Sequence, residues 1–266
     1  MNQNRAIFFG AVLAITFTIA FGQPPAKEEE QKINGLIDAL VFEDQKDANA
    51  SQLSPEDEEK ADEENAKQYE KCQQACKQLS ILKDKAFPFL VKHLDDKRPS
   101  IPFRNHYAGD SVGNACFWNI YFQLQDRPND YSSYGESRKG RDGKDHTKPY
   151  WEGTPFGDAG SLPKWLKKHE KLTYPEMQIE CLQWLLNKER EIGASDSESY
   201  FENILPLEIR ILERKLETGS NVREELDRLR LVMKKKSAAD VPVDLLPNKA
   251  EQGADGKMPK ASQPPH

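Results

Sequence analysis

The stretch from Ala66 to Asp96, AKQYEKCQQACKQLSILKDKAFPFLVKHLDD, constrains this chain more than any other. Tyr69, Cys72, Cys76 and Leu79 recur at helical spacing, and Glu70, Lys71, Gln73, Gln74 and Lys77 take the opposite face. Ser54-Pro55-Glu56-Asp57 supplies the start of that helix. A serine oxygen can accept from an orphan backbone N–H, and proline in the first turn has none to lose. The spacing therefore predicts a helix from Pro55 to about Ser80. A short turn, Leu82 to Lys85, leads to a second helix from about Ala86 to Leu94, with Phe87, Leu90, Val91 and Leu94 inward. Pro88 falls in its first turn, where the ring is tolerated. Two helices on so short a link lie antiparallel.

This pair resembles a HEAT-like repeat. The residues that carry the resemblance are the first helix ending at Leu79, then Lys85-Ala86-Phe87-Pro88-Phe89-Leu90-Val91-Lys92-His93-Leu94, with Asp95-Asp96 in the following turn. It covers about thirty of the 266 residues. It implies a scaffold that binds rather than one that catalyses. No second copy recurs at a regular period, and a solenoid needs about three units. The expected fold is an irregular, HEAT-like all-α domain over residues 54–236, carrying one long ordered aromatic loop.

Residues 1–22 read as a signal peptide. Arg5 precedes an apolar run from Ala6 to Phe21, and Ala20 and Gly22 are the small residues a signal peptidase reads. The run is shorter than the ~20 residues of a membrane span and includes Thr16 and Thr18. The expectation is an exported, periplasmic or secreted bacterial protein that meets a membrane only through an uncleaved signal segment. Residues 23–53 hold a short amphipathic helix (Ile33, Leu36, Ile37, Leu40, Val41) and an acidic loop. Fourteen acids face three lysines between Glu28 and Glu64, a net charge of −11. Nucleic acid is excluded as a partner, because phosphate binding needs a basic stripe.

Further helices follow. Val112 to about Gln125 is apolar nearly all round and so buried on most sides. Leu162 to Lys171 forms a short helix. Thr173-Tyr174-Pro175-Glu176 opens another, to about Ile192, which Gly193 ends. Tyr200 to Leu216 is interrupted at Pro206, and Val222 to Lys236 ends on three lysines that suit the helix dipole. From Ser237 to His266 the composition predicts a disordered tail.

Residues 127–163 show neither helical nor strand period, and a loop of that length is functional or disordered as a rule. Tyr131, Tyr134, Tyr150, Trp151 and Phe156 sit there among charges and glycines. Tyrosine, tryptophan and arginine are the residues of interface hot spots. The candidate binding face is Tyr131, Tyr134, Tyr150 and Trp151 with Arg138 and Arg141, and with Lys139, Lys144 and Lys148 around them. The same aromatics can instead anchor the loop onto the helices.

Cys72, Cys76, Cys116 and Cys181 are four cysteines in an exported chain, which predicts disulfides. Of three connectivities, Cys72 to Cys76 is the least favourable, since parallel side chains on one helix do not meet disulfide geometry. No zinc spacing, nucleophile elbow, P-loop or dinucleotide fingerprint occurs, so no metal, cofactor or catalytic residue is expected. The leading expectation is a non-catalytic exported scaffold or binding protein whose partner is a protein or an envelope glycan. One alternative is a glycan-binding module using the aromatic loop. Another is a hydrolase-like enzyme with a site near His106 and His146.

Overall fold

The computed structural model describes residues 27–45, 54–101, 111–126, 137–149 and 154–247. The signal segment expected at residues 1–22 lies outside them. The described chain is mostly helical, with one small two-stranded antiparallel sheet.

Helix α1 (Lys27–Asp38) begins with three glutamates, which suit the positive end of its dipole, and buries Ile33 and Ile37. Helix α2 (Pro55–Leu82) starts where expected: the Ser54 hydroxyl accepts the Asp57 N–H at 3.3 Å. It buries Ala61 near its start and then Cys72, Ala75, Cys76 and Leu79, while Tyr69 is 38% exposed. Tyr69, expected on the apolar stripe, therefore lies outside it. Helix α3 (Phe87–Lys92) buries Phe87, Phe89 and Leu90.

Helices α2 and α3 both pack on a third helix, α4 (Val112–Leu124), more than on each other, and α2 packs on α1 as well. Its interior position follows from its sequence, since it has no solvated face to offer. Gly113 allows the closest approach. A Cβ there would stand 2.2 Å from the Leu94 carbonyl oxygen, and the Gly113 N–H donates to the Asp96 carbonyl at 3.0 Å. The two polar side chains that α4 buries are hydrogen-bonded, as low dielectric demands. The Asn119 amide donates to the Cys76 carbonyl at 3.0 Å, and the Gln123 amide donates to Asn119 at 2.8 Å. The Gln178 amide then donates to the Gln123 carbonyl at 2.7 Å, which ties α4 to helix α7 (Tyr174–Ile192).

The long loop is not irregular throughout. It carries a hairpin of β1 (Ser137–Lys139) and β2 (Asp145–Thr147), with Arg138 opposite His146, and then a single helical turn, α5 (Pro155–Asp158). Strands of three residues are too short to show a period, which is why the sequence pattern misses them. Phe156 of α5 is 2% exposed and makes edge-on contacts with Phe117, Tyr121 and Trp165. That aromatic anchors the loop.

Helix α6 (Leu162–Lys168) follows, and then α7, where the Thr173 N–H donates to Glu176 at 2.7 Å. Met177 and Cys181 at the start of α7 belong to the first hydrophobic cluster, with α1 to α4. Leu182, Leu185 and Leu186 belong to a second, built with α8 (Ser197–Asn203), α9 (Leu205–Glu217) and α10 (Arg223–Lys235). Pro206 sits in the first turn of α9, so it opens a new helix. The ordered chain continues past Lys236. Val241 and Leu245 are 5% and 6% exposed in the second cluster, and the Ala194 N–H donates to the Leu245 carbonyl at 2.8 Å. A few apolar residues in a polar segment suffice to dock it. Residues 248–266 lie outside the described residues.

Candidate binding site

The four cysteines form no disulfide. Each is buried as a small apolar residue where helices pack, so its direction is set by its helix. The Cys72 thiol donates to the Val41 carbonyl at 3.4 Å. Burial pushes the Cys72 thiol up to about 11 and the Cys116 thiol to about 12, and raises Cys76 and Cys181 still further. Such thiols are inert, because the thiolate is the reactive species.

Of the residues expected at the loop's binding face, Tyr131, Tyr134, Tyr150 and Trp151 lie outside the described residues. Arg138 and Arg141 are turned toward the C-terminal end of α7. Arg138 contacts Glu189, with the two side chains 6% and 3% exposed. Its Nε donates to the Glu189 carboxylate at 2.8 Å, and Nη2 donates to the same carboxylate and to the Glu189 carbonyl. Nη1 donates to the Gly193 carbonyl at 2.6 Å and the Lys139 carbonyl at 3.2 Å. A guanidinium has five N–H donors, and all five are used. Burial holds the Glu189 carboxyl above its usual range, against the opposing pull of Arg138. Arg141 donates to the Asp244 carbonyl at 3.0 Å and lies across Gly193, where a Cβ would stand 2.7 Å from its Cδ. The two arginines therefore clamp the hairpin to the helix end and to the C-terminal turn.

His146 and Asp142 form an exposed pair at 2.9 Å, and the hydrogen bond from His146 lowers the Asp142 carboxyl. His106, the other half of the acid–base site expected there, lies outside the described residues. Among the described residues no group of three or more His, Cys, Asp or Glu side chains could hold a metal ion, and no helix is long and apolar enough to cross a membrane.

Two concavities flank α7, and the sequence pattern points to neither. The larger, about 360 Å³, lies between α7, α9 and α10. Its apolar part includes Leu186, Ile211, Leu212 and Leu229, and it also carries Lys215, Arg228, Glu225 and Asp240. Tyr200 donates to Glu208 at 3.2 Å, and Arg190 holds the same carboxylate at 2.6 Å. Burial and the adjacent Glu208 carboxylate keep the Tyr200 hydroxyl protonated. The smaller, about 260 Å³, lies between α5, α6 and α7 and includes Trp165, Trp184 and His169. The larger draws its lining from Gln183 to Pro242 and the smaller from Pro155 to Asn187, a spread that no local motif can announce.

The chain matches no protein family, no curated protein and no solved structure.

Proposed function

We propose that this chain is a non-catalytic, exported helical scaffold of HEAT-like kind, which binds a segment of a partner protein in the groove between α7, α9 and α10. The observation that carries this reading is the lining of that groove. Apolar Leu186, Leu212 and Leu229 are joined there by charges of both signs that make no hydrogen bond or ion pair with one another: Lys215, Arg228, Glu225 and Asp240. A protein segment offers the complement, apolar anchors flanked by charges. Among the described residues the four thiols are buried and inert, and the Arg138 donors are all used within the fold.

The test is capture from an envelope extract by the intact chain and by a Lys215→Glu/Arg228→Glu variant of unchanged helix content. A partner lost with the two charge reversals supports the reading; a partner held equally by both overturns it.

A further inference from the structure

We infer that the smaller concavity, between α5, α6 and α7, is a binding site for a neutral saccharide. This goes beyond the protein-binding reading, and the two sites have only Gln183 in common.

The argument starts from Trp184. It is half-buried in the cleft lining, and its indole N–H donates to Asp158 Oδ2 at 3.1 Å, which restrains the ring before any ligand arrives. Trp165, also in the lining, is 4% exposed, and the His169 ring lies against it, 4.1 Å away centroid to centroid. An aromatic face held in place suits the C–H face of a sugar ring, and rigidity lowers the entropy lost on binding.

The polar groups around it are planar and only partly used. His169 Nδ1–H donates to the Trp165 carbonyl at 2.7 Å, which leaves Nε2 as the ring's other polar atom. Gln183 Nε2 donates to Asn187 Oδ1 at 3.0 Å, which leaves the Asn187 amide N–H groups as donors and Gln183 Oε1 as an acceptor. Asp158 Oδ1 is a further acceptor. Vicinal hydroxyls each donate and accept, and they need this alternation of side-chain donors and acceptors.

Charge narrows the class. Asp158 and Glu180 carry two negative charges into the cleft against one from Lys168. Uronic acids, sialic acids and phosphorylated sugars are repelled. An apolar ligand would leave the amides and carboxylates unpaired, which is costly. The cleft has room for a hexose-sized ring.

The experiment uses the full chain with three neutral probes, cellohexaose, maltohexaose and fully N-acetylated chitohexaose, followed by calorimetry and tryptophan fluorescence. We expect at least one to bind with Kd of about 1 mM or tighter and to change the Trp184 emission. Asp158→Ala and Asn187→Ala, both on exposed residues, should each weaken that binding about tenfold. Trp184→Ala should abolish it. Failure of all three sugars to bind overturns the inference, as does binding that survives Asp158→Ala and Asn187→Ala unchanged. The Lys215→Glu/Arg228→Glu variant should bind sugar normally. Loss of sugar binding and loss of partner capture are thus separate results.

Discussion

The Arg138 guanidinium and the Glu189 carboxylate lie in contact with both side chains almost sealed from water. One comes from a three-residue strand, the other from the last turns of a long helix. The pair is the joint between hairpin and helical body. Removing one partner strands the other charge in low dielectric.

Arg138→Met should therefore cost about 3–5 kcal/mol of stability. Adding Glu189→Leu should recover much of that loss, because the second change removes the stranded charge. Urea unfolding of the two variants beside the parent measures both. Equal stability of single and double variants would show that the carboxyl is not stranded.

The cysteines give a second test. Native protein at pH 8 should react with a thiol reagent at none of its four cysteines, since burial raises every thiol well above that pH. In denaturant all four should react, because no disulfide withholds any of them. Reductant should leave the melting temperature unchanged. Fewer than four thiols in the unfolded chain, without reductant, would reveal a bridge.

Two glycines should respond in opposite directions to alanine. At Gly113 the new Cβ meets the backbone at Leu94, so α3 and α4 must move apart; a loss of about 1–3 kcal/mol is expected for such overpacking. At Gly35, exposed within α1, nothing lies within 4 Å of the new Cβ. There Gly35→Ala should add about 0.5–1 kcal/mol through helix propensity. Thermal melts of the two variants test the pair.

Acid should weaken the link between α1 and the turn after α3. Arg98 donates to Asp96 at 2.7 Å and to Asp38 at 2.8 Å. Hydrogen bonds from Arg98, opposed by burial, hold the Asp96 carboxyl far below the usual range. A depressed carboxyl stabilises the fold above its unfolded value, about 3.9. That contribution is lost as pH falls below about 4 toward the folded value. Asp96→Asn should flatten the pH dependence of stability below about 4 relative to the parent, and a series of urea melts at descending pH checks it.

The long elements were legible in the sequence. Ser54-Pro55, Thr173 to Glu176 and Pro206 each mark a helix start that the structure bears out, because caps and first-turn prolines act locally. The interior place of α4 could be read from its lack of a polar face. What stayed hidden depends on distant partners. Three-residue strands have no period to detect. An arginine in a basic, aromatic loop gives no sign that its partner is a glutamate 51 residues on. The disulfides were expected from cysteine count and compartment, yet helix packing had already set the direction of each side chain. Neither cleft beside α7 has a local signature, since each is assembled from α7 and from elements beyond its ends.

Helix α7 also limits how the molecule can be divided. Its first half presents Met177 and Cys181 to one cluster, and its second half presents Leu182, Leu185 and Leu186 to the other. A cut on either side of it leaves one fragment with an open apolar wall and gives the other a helix with one face unclaimed. The protein has no dispensable half. Deletion mapping of either proposed binding site would report the collapse of the shared wall, and point substitutions are fine enough to separate the two.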